Sequence, residues 1–110
     1  MFKIALTETY EHPITVEIPG DKKKHEFVGI FNRFGRDELD AMRARISADE
    51  LDDKAFSSEV LAGWRGVRDA DGNEMDFTPA NLDLLLDIYP VASSIVMAFY
   101  ASISGAKLKN

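Results

Sequence analysis

The chain contains no cysteine among its 110 residues. Disulfide bonds, thiolate metal sites and cysteine nucleophiles are therefore excluded together, and such a composition suits a reducing compartment. A glycine-rich phosphate loop is also missing, because the seven glycines are scattered along the sequence. The opening segment MFKIALTETYEHP carries Glu8 and Glu11 and has no continuous apolar run, so we do not expect it to be a secretory signal.

Basic residues are scarce in the middle of the chain. The formal net charge is −6 at pH 7, and residues 37–87 hold fourteen acidic side chains against five basic ones. Nucleic acids are bound through clustered Lys and Arg that contact phosphates, so a nucleic-acid partner is not expected. Hydrophobic residues make up 45% of the chain, which is enough to build the core of one globular domain.

The first third of the sequence shows the alternation of apolar and polar residues that is typical of strands. It occurs over residues 2–10 and again over residues 14–18, and a third segment rich in Phe and β-branched residues covers residues 25–34. The segment PGDKKK at residues 19–24 has the composition of a turn. These patterns predict a small antiparallel β-meander.

Beyond residue 37 the apolar spacing becomes helical and predicts a short amphipathic helix. Ser47 and Glu50 resemble a capping box, which predicts a second helix that ends at Gly63. A third helix is predicted to start at residues 78–79, where Thr precedes Pro. Pro90 either kinks this third helix or starts a fourth.

The whole chain, residues 1–110, is therefore predicted to be a single α+β domain. Residues 1–36 form its β-rich part, and residues 37–110 are mainly helical, with a loop or hairpin at residues 64–77. We expect three to four helices, the last one long and apolar, with Gly105 and two following lysines at its C-terminal end.

No catalytic, cofactor-binding or metal-binding residue is predicted. His12 and His25 lack a serine or carboxylate at the spacing of a catalytic triad. In the acidic loop that starts at Asp69, Gly72 is not at the glycine position of a calcium-binding EF-hand, and Ala80 stands where the closing glutamate would be. The acidic residues between 37 and 53 are expected to form a solvated face, and a small enzyme that uses them to hold a metal is the least favoured hypothesis.

Four motifs occur in a particular order in the second half of the chain. They are GWRGV at residues 63–67, DADGN at residues 69–73, FTPANL at residues 77–82 and LLLDIYP at residues 84–90. Together they resemble the tail assembly chaperones of long-tailed bacteriophages, and the resemblance covers residues 61–100.

This resemblance implies a non-enzymatic, transient assembly factor in the cytoplasm of a bacterial host. Proteins of that family bind the tape measure protein, keep its long apolar helices soluble and help to recruit tail tube protein. No cofactor and no membrane association are implied. The alternative is a minor structural protein of the phage, or a small protein–protein interaction domain, that stays in the particle.

The stretch IYPVASSIVMAFYASISGA, residues 88–106, contains no charged residue. At helical spacing it has a bulky face and a small, partly hydroxylated face, whereas a lipid-exposed span is apolar all round, so a membrane anchor is not favoured. The bulky face is expected to close the core. The small face either docks a tape measure helix or a second copy of the chain, or packs inside the same domain.

Trp64 is expected to fill the core where a helix meets a loop, or else to anchor an interface. The candidate partner-binding residues are therefore Trp64, Ser93, Met97, Ala101 and Ser104.

Overall fold

Seven elements of secondary structure occur in residues 1–104, the part of the chain that the computed structural model describes. In chain order they are β1 (Thr9–Glu17), β2 (Lys24–Asn32), α1 (Arg36–Ser47), α2 (Asp53–Val60), β3 (Leu61–Arg65), α3 (Pro79–Leu86) and α4 (Val91–Ile103). The predicted α+β class, with an antiparallel sheet of three strands and four helices, is confirmed. The C-terminal end predicted at Gly105 lies outside the described residues.

The three strands form one antiparallel sheet in the order β1-β2-β3. Ile14 on β1 lies opposite Phe27 on β2, and both side chains are buried on the face that the helices cover. Gly29 on the same face is closely approached, since a Cβ there would come within 2.5 Å of the Ile14 Cδ1. The turn between β1 and β2 falls where the Pro-Gly-Asp segment predicts it, with Gly20 at φ 87°.

The strand predicted over residues 2–10 is wrong for all but its last two residues. β1 begins at Thr9, and Phe2, Ile4 and Leu6 are exposed. The third strand of the sheet is β3, which comes from residues expected to end a helix, and Gly63 lies inside that strand. Alternation shows that a segment is able to form a strand, but pairing also requires a free neighbouring edge.

The capping box predicted at Ser47 and Glu50 is also wrong, because Ser47 is the last residue of α1. The second helix instead starts after Asp52, whose Oδ1 accepts a hydrogen bond of 2.8 Å from the backbone N–H of Ala55. An aspartate in this position satisfies one of the free N–H groups of the first helical turn.

The segment predicted as a loop or hairpin is a short hairpin. The backbone N–H of Met75 donates to the carbonyl of Val67 at 2.8 Å, and Arg68 pairs with Glu74 in an antiparallel bridge. The predicted start of α3 is confirmed, since the Thr78 Oγ1 accepts a hydrogen bond of 3.1 Å from the backbone N–H of Asn81.

Pro90 starts a new helix and does not kink a continuous one. The Tyr89–Pro90 peptide bond is cis, and α3 and α4 are bent by 101° relative to each other. The uncharged stretch therefore begins in the turn at residues 88–90 and continues through the 13 residues of α4. Within residues 1–104 no single helix is both long enough and apolar enough to cross a bilayer. α3 and α4 meet these two criteria only when they are taken together, and they are bent at the break between them.

The outer face of the sheet carries an ion pair that reaches from β1 to β3 across β2. Glu11 accepts hydrogen bonds from the Arg65 guanidinium, one of them 3.3 Å long from Nε. The hydrogen bond from Arg65 lowers the pKa of Glu11 below its usual value of 4.5. A depressed carboxyl pKa adds stability that is present above pH 4.5 and lost as the pH falls through the folded-state pKa.

We therefore expect Glu11→Gln to lower the melting temperature slightly at neutral pH and to have less effect in acid. The change is small, because the two side chains are 59% and 52% exposed and the pair is screened by solvent. Thermal melts of both proteins at neutral pH and well below pH 4.5 test this expectation. A difference in melting temperature that stays constant over this range would contradict it.

Candidate functional site

A groove of about 400 Å³ runs between β1 and α4. Four residues of β1 form one wall, and Pro90 and the first half of α4 form the other. Its lining residues are His12, Pro13, Thr15, Glu17, Pro90, Ser93, Ser94, Met97 and Ala98. Glu17 and His12 are the titratable groups in this lining, so the α4 wall presents only uncharged side chains.

The candidate partner-binding residues on α4 lie along one side of the helix. Ser93 and Met97 line the groove, and Ala101 and Ser104 continue the same side at helical spacing. Met97 is 71% exposed, whereas Ser93 and Ala101 are half-buried. The structure therefore brings these four residues together on a surface that is open at its centre, and their role in partner binding stays a prediction.

Two serine hydroxyls of α4 donate hydrogen bonds to backbone carbonyls three residues earlier in the chain. Ser93 Oγ donates to the carbonyl of Pro90 at 2.9 Å, and Ser102 Oγ donates to that of Phe99 at 2.6 Å. Such bonds to the preceding turn use the hydroxyl proton locally. The Ser93 hydroxyl of the α4 wall is therefore already used, and Met97 and Ala98 offer a ligand of this wall van der Waals contacts.

The opposite side of α4 enters the core, as predicted for the bulky face. Ile95 is fully buried and Phe99 is 1% exposed. Helical spacing also places Ile88 and Tyr89 on this face, but they precede the helix and are 47% and 77% exposed. The break at Pro90 turns them out of the line of α4. Tyr100 and Ile103, at the end of the same face, are exposed too.

Trp64 lies apart from the other candidates. It is 7% exposed on β3, its Nε1 donates a hydrogen bond of 2.8 Å to the carbonyl of Met75, and its ring meets that of Phe77 edge to face at 4.9 Å. It is not among the residues that line the groove. The structure thus places Trp64 in the core, where it holds the hairpin of residues 67–75 against the sheet.

The β1 wall of the groove is what the sequence interpretation missed. The sequence pattern assigns no role to His12, and only the packing of α4 on β1 brings His12 and Pro13 beside Met97. The Tyr10 hydroxyl and the Ser102 Oγ, 2.7 Å apart, connect the two elements. No local pattern in the sequence indicates this pairing, because the two residues are 92 positions apart.

The acidic residues do not converge. Among residues 1–104, no group of three or more His, Cys, Asp or Glu side chains is arranged to hold a metal ion. The Asp69 carboxylate instead accepts backbone hydrogen bonds of 2.9 Å from Asp71 and from Asn73, which closes the tip of the hairpin. This is the turn chemistry that the Asp-Gly-Asn segment predicts.

The model of the YdaY prophage protein family matches residues 30–106. The chain belongs to this family. The matched span begins inside β2 and includes Trp64, the hairpin of residues 67–75 and the α4 wall of the groove. β1 and residues 1–8 lie outside it. No curated protein and no solved structure matches the chain. The family establishes a prophage protein, and the resemblance to tail assembly chaperones adds a more specific hypothesis.

Proposed function

We propose that this prophage protein is a tail assembly chaperone that binds the tape measure protein in the cytoplasm of the bacterial host. It acts without catalysis, delivers the tape measure protein to the growing tail and helps to recruit tail tube subunits. The observation that carries the proposal is the motif order of residues 61–100, which lies inside the matched prophage family span. The open, uncharged wall of α4 offers a place for the client.

The groove has the chemistry that an apolar helix needs. Met97 is flexible and polarisable and adapts its packing to different side chains. Ser93 and Ala101 are small, so a second helix is able to approach α4 closely on either side of Met97. Because the α4 wall carries no charge, no ion on this wall has to lose its hydration shell when a tape measure helix binds.

We expect Met97→Glu to abolish co-purification with the tape measure protein encoded by the same prophage. The substitution puts a carboxylate without a partner in the centre of the apolar contact. The variant should still fold, because Met97 is 71% exposed in the isolated chain. Leu84→Glu is the matched control, since Leu84 on α3 is 62% exposed and is not part of the groove.

The tape measure protein should co-purify with the wild-type chain and with the Leu84→Glu chain. Equal binding by the wild-type, Met97→Glu and Leu84→Glu chains would show that Met97 of α4 is not part of the contact. Absence of binding by the wild-type chain would overturn the proposed function itself.

Mass spectrometry of purified particles separates this function from that of a minor structural protein. A chaperone leaves before the tail is complete, so its peptides are expected only in the lysate of induced cells. Peptides of the chain in particles, at the level of a minor tail component, would favour the alternative of a structural subunit or interaction domain that is retained.

A further inference from the structure

Residues 1–7, here called the arm, carry large apolar side chains that the rest of the fold does not cover. Phe2 is 79% exposed, Ile4 87% and Leu6 56%. The base of the arm is fixed, because Arg33 Nε donates to the carbonyl of Thr7 at 2.7 Å. The arm therefore leaves the domain from a defined point and exposes three large apolar side chains at alternate positions, which marks an interaction segment.

The arm has a strand pattern but no partner within its own sheet. In the ladder between β1 and β2, Thr9 lies opposite Asn32, so residues 1–5 of the arm would have to pair with residues beyond Gly35. Those residues are helical from Arg36 onward and offer no strand edge. The period-two alternation of Phe2, Ile4 and Leu6 is thus left unused by the isolated chain.

We infer that the arms of two copies of this chain pair with each other as antiparallel strands centred on Ile4. In this register Ile4 lies opposite Ile4 of the second copy, and Phe2 lies opposite Leu6 in both directions. Residues that are directly opposite in an antiparallel pair point to the same side, so all six large apolar side chains share one face of the ribbon. Lys3 lies opposite Ala5, which avoids a contact between like charges.

Neighbouring registers are less favourable. A shift of one residue places each apolar side chain opposite a position of the other face, which separates the apolar groups. A shift of two residues in one direction puts Lys3 opposite Lys3, where like charges repel. A shift of two in the other direction puts Phe2 opposite Glu8. Only the register centred on Ile4 is complementary along its whole length.

This pairing closes a symmetric dimer. Each copy contributes the same segment, so the contact is isologous and leaves no second arm free to extend a chain of subunits. Seven residues span roughly 24 Å as a strand, which leaves room for a folded domain at each end of the ribbon. A two-stranded ribbon alone is marginally stable in water, so the dimer should dissociate on dilution. The arm lies outside the matched family span, and the inference does not depend on the proposed function.

Sedimentation equilibrium over a range of concentrations tests the dimer. The wild-type chain should show a monomer–dimer equilibrium, and Ile4→Lys should be monomeric because it places two positive charges face to face. Leu84→Lys, at an exposed apolar residue of α3, should dimerise like the wild type. An equimolar mixture of Ile4→Lys and Ile4→Glu should regain the dimer. A monomeric wild type, or a dimer that Ile4→Lys leaves unchanged, would overturn the inference.

The register is tested by oxidation of single-cysteine variants, since the chain has no cysteine of its own. Ile4→Cys should form a disulfide-linked dimer, because the two Cβ atoms face each other within the reach of an S–S bond. Lys3→Cys alone should link poorly, whereas a mixture of Lys3→Cys and Ala5→Cys should link well. Equal linking by Ile4→Cys and Lys3→Cys would contradict this register.

Discussion

Replacing Phe99 with alanine is expected to lower the free energy of unfolding by about 3 to 5 kcal/mol. Phe99 is 1% exposed, and its ring meets those of Phe31 at 5.4 Å, Phe34 at 6.0 Å and Phe56 at 5.5 Å, each edge to face. The truncation removes these three ring contacts and leaves a cavity where Phe99 packs against β2 and α2. Since domains of this size are stable by about 5 to 15 kcal/mol, the loss is a large share of the total.

Urea denaturation followed by far-ultraviolet circular dichroism measures this effect. Met97→Ala is the control, since it lies on the same helix two residues away but is 71% exposed. It should change the free energy of unfolding by no more than about 0.5 kcal/mol. Similar losses in the two variants would mean that α4 does not enter the core through Phe99.

Replacing Trp64 with alanine is expected to have a comparable effect, a loss of about 3 to 5 kcal/mol. The indole is 7% exposed and combines two roles, because its ring packs on Phe77 and its Nε1 donates to the carbonyl of Met75. Removal of the ring frees the hairpin of residues 67–75 from β3. Trp64 is the only tryptophan of the chain, so its replacement removes the tryptophan fluorescence signal, and circular dichroism is again used to follow unfolding.

Trp64→Phe separates the two roles of this side chain. It keeps most of the apolar contact and loses only the hydrogen bond to Met75, so we expect a loss of about 1 to 3 kcal/mol. An unchanged stability of Trp64→Ala would show that the indole is not a core residue. Trp64 would then be available as the interface anchor that the sequence also allowed.

The sequence predicts the elements of this fold best where the signal is local. The turn at residues 19–24, the Thr78 cap of α3 and the Asp-Gly-Asn hairpin tip all follow from residue types at fixed spacing. α2 carries such a signal too, since Leu51 and Phe56 flank its cap and are both buried, as in a hydrophobic staple. The weaker Ser47 and Glu50 pattern led to an incorrect start for this helix.

The strands were harder to predict because their pairing is not local. β3 follows α2 without an intervening turn. Glycine is typical of helix ends, but Gly63 lies inside β3, opposite Ile30 of β2. Conversely, the arm alternates like a strand, yet the edge it would need is lost when the chain enters α1 at Arg36. In both cases the strand edge that is available in the fold, and not the local pattern, decides whether a strand forms.

The candidate site shows the same division. The spacing of Ser93, Met97 and Ala101 predicts their common side of α4 from helical periodicity alone. The second wall of the groove, with His12 and Pro13, depends on the packing of α4 against β1 and has no counterpart in the sequence pattern. Half of the groove could therefore be predicted, and the other half required the fold.

The central claim, that this prophage protein serves tail assembly, is tested most directly by deletion of its gene from an inducible prophage. Electron microscopy of the induced lysate would count complete tails. The account predicts that complete tails disappear and that the wild-type gene supplied in trans restores them, because the tape measure protein loses the partner that keeps it soluble. A normal number of complete tails in the deletion strain would contradict it.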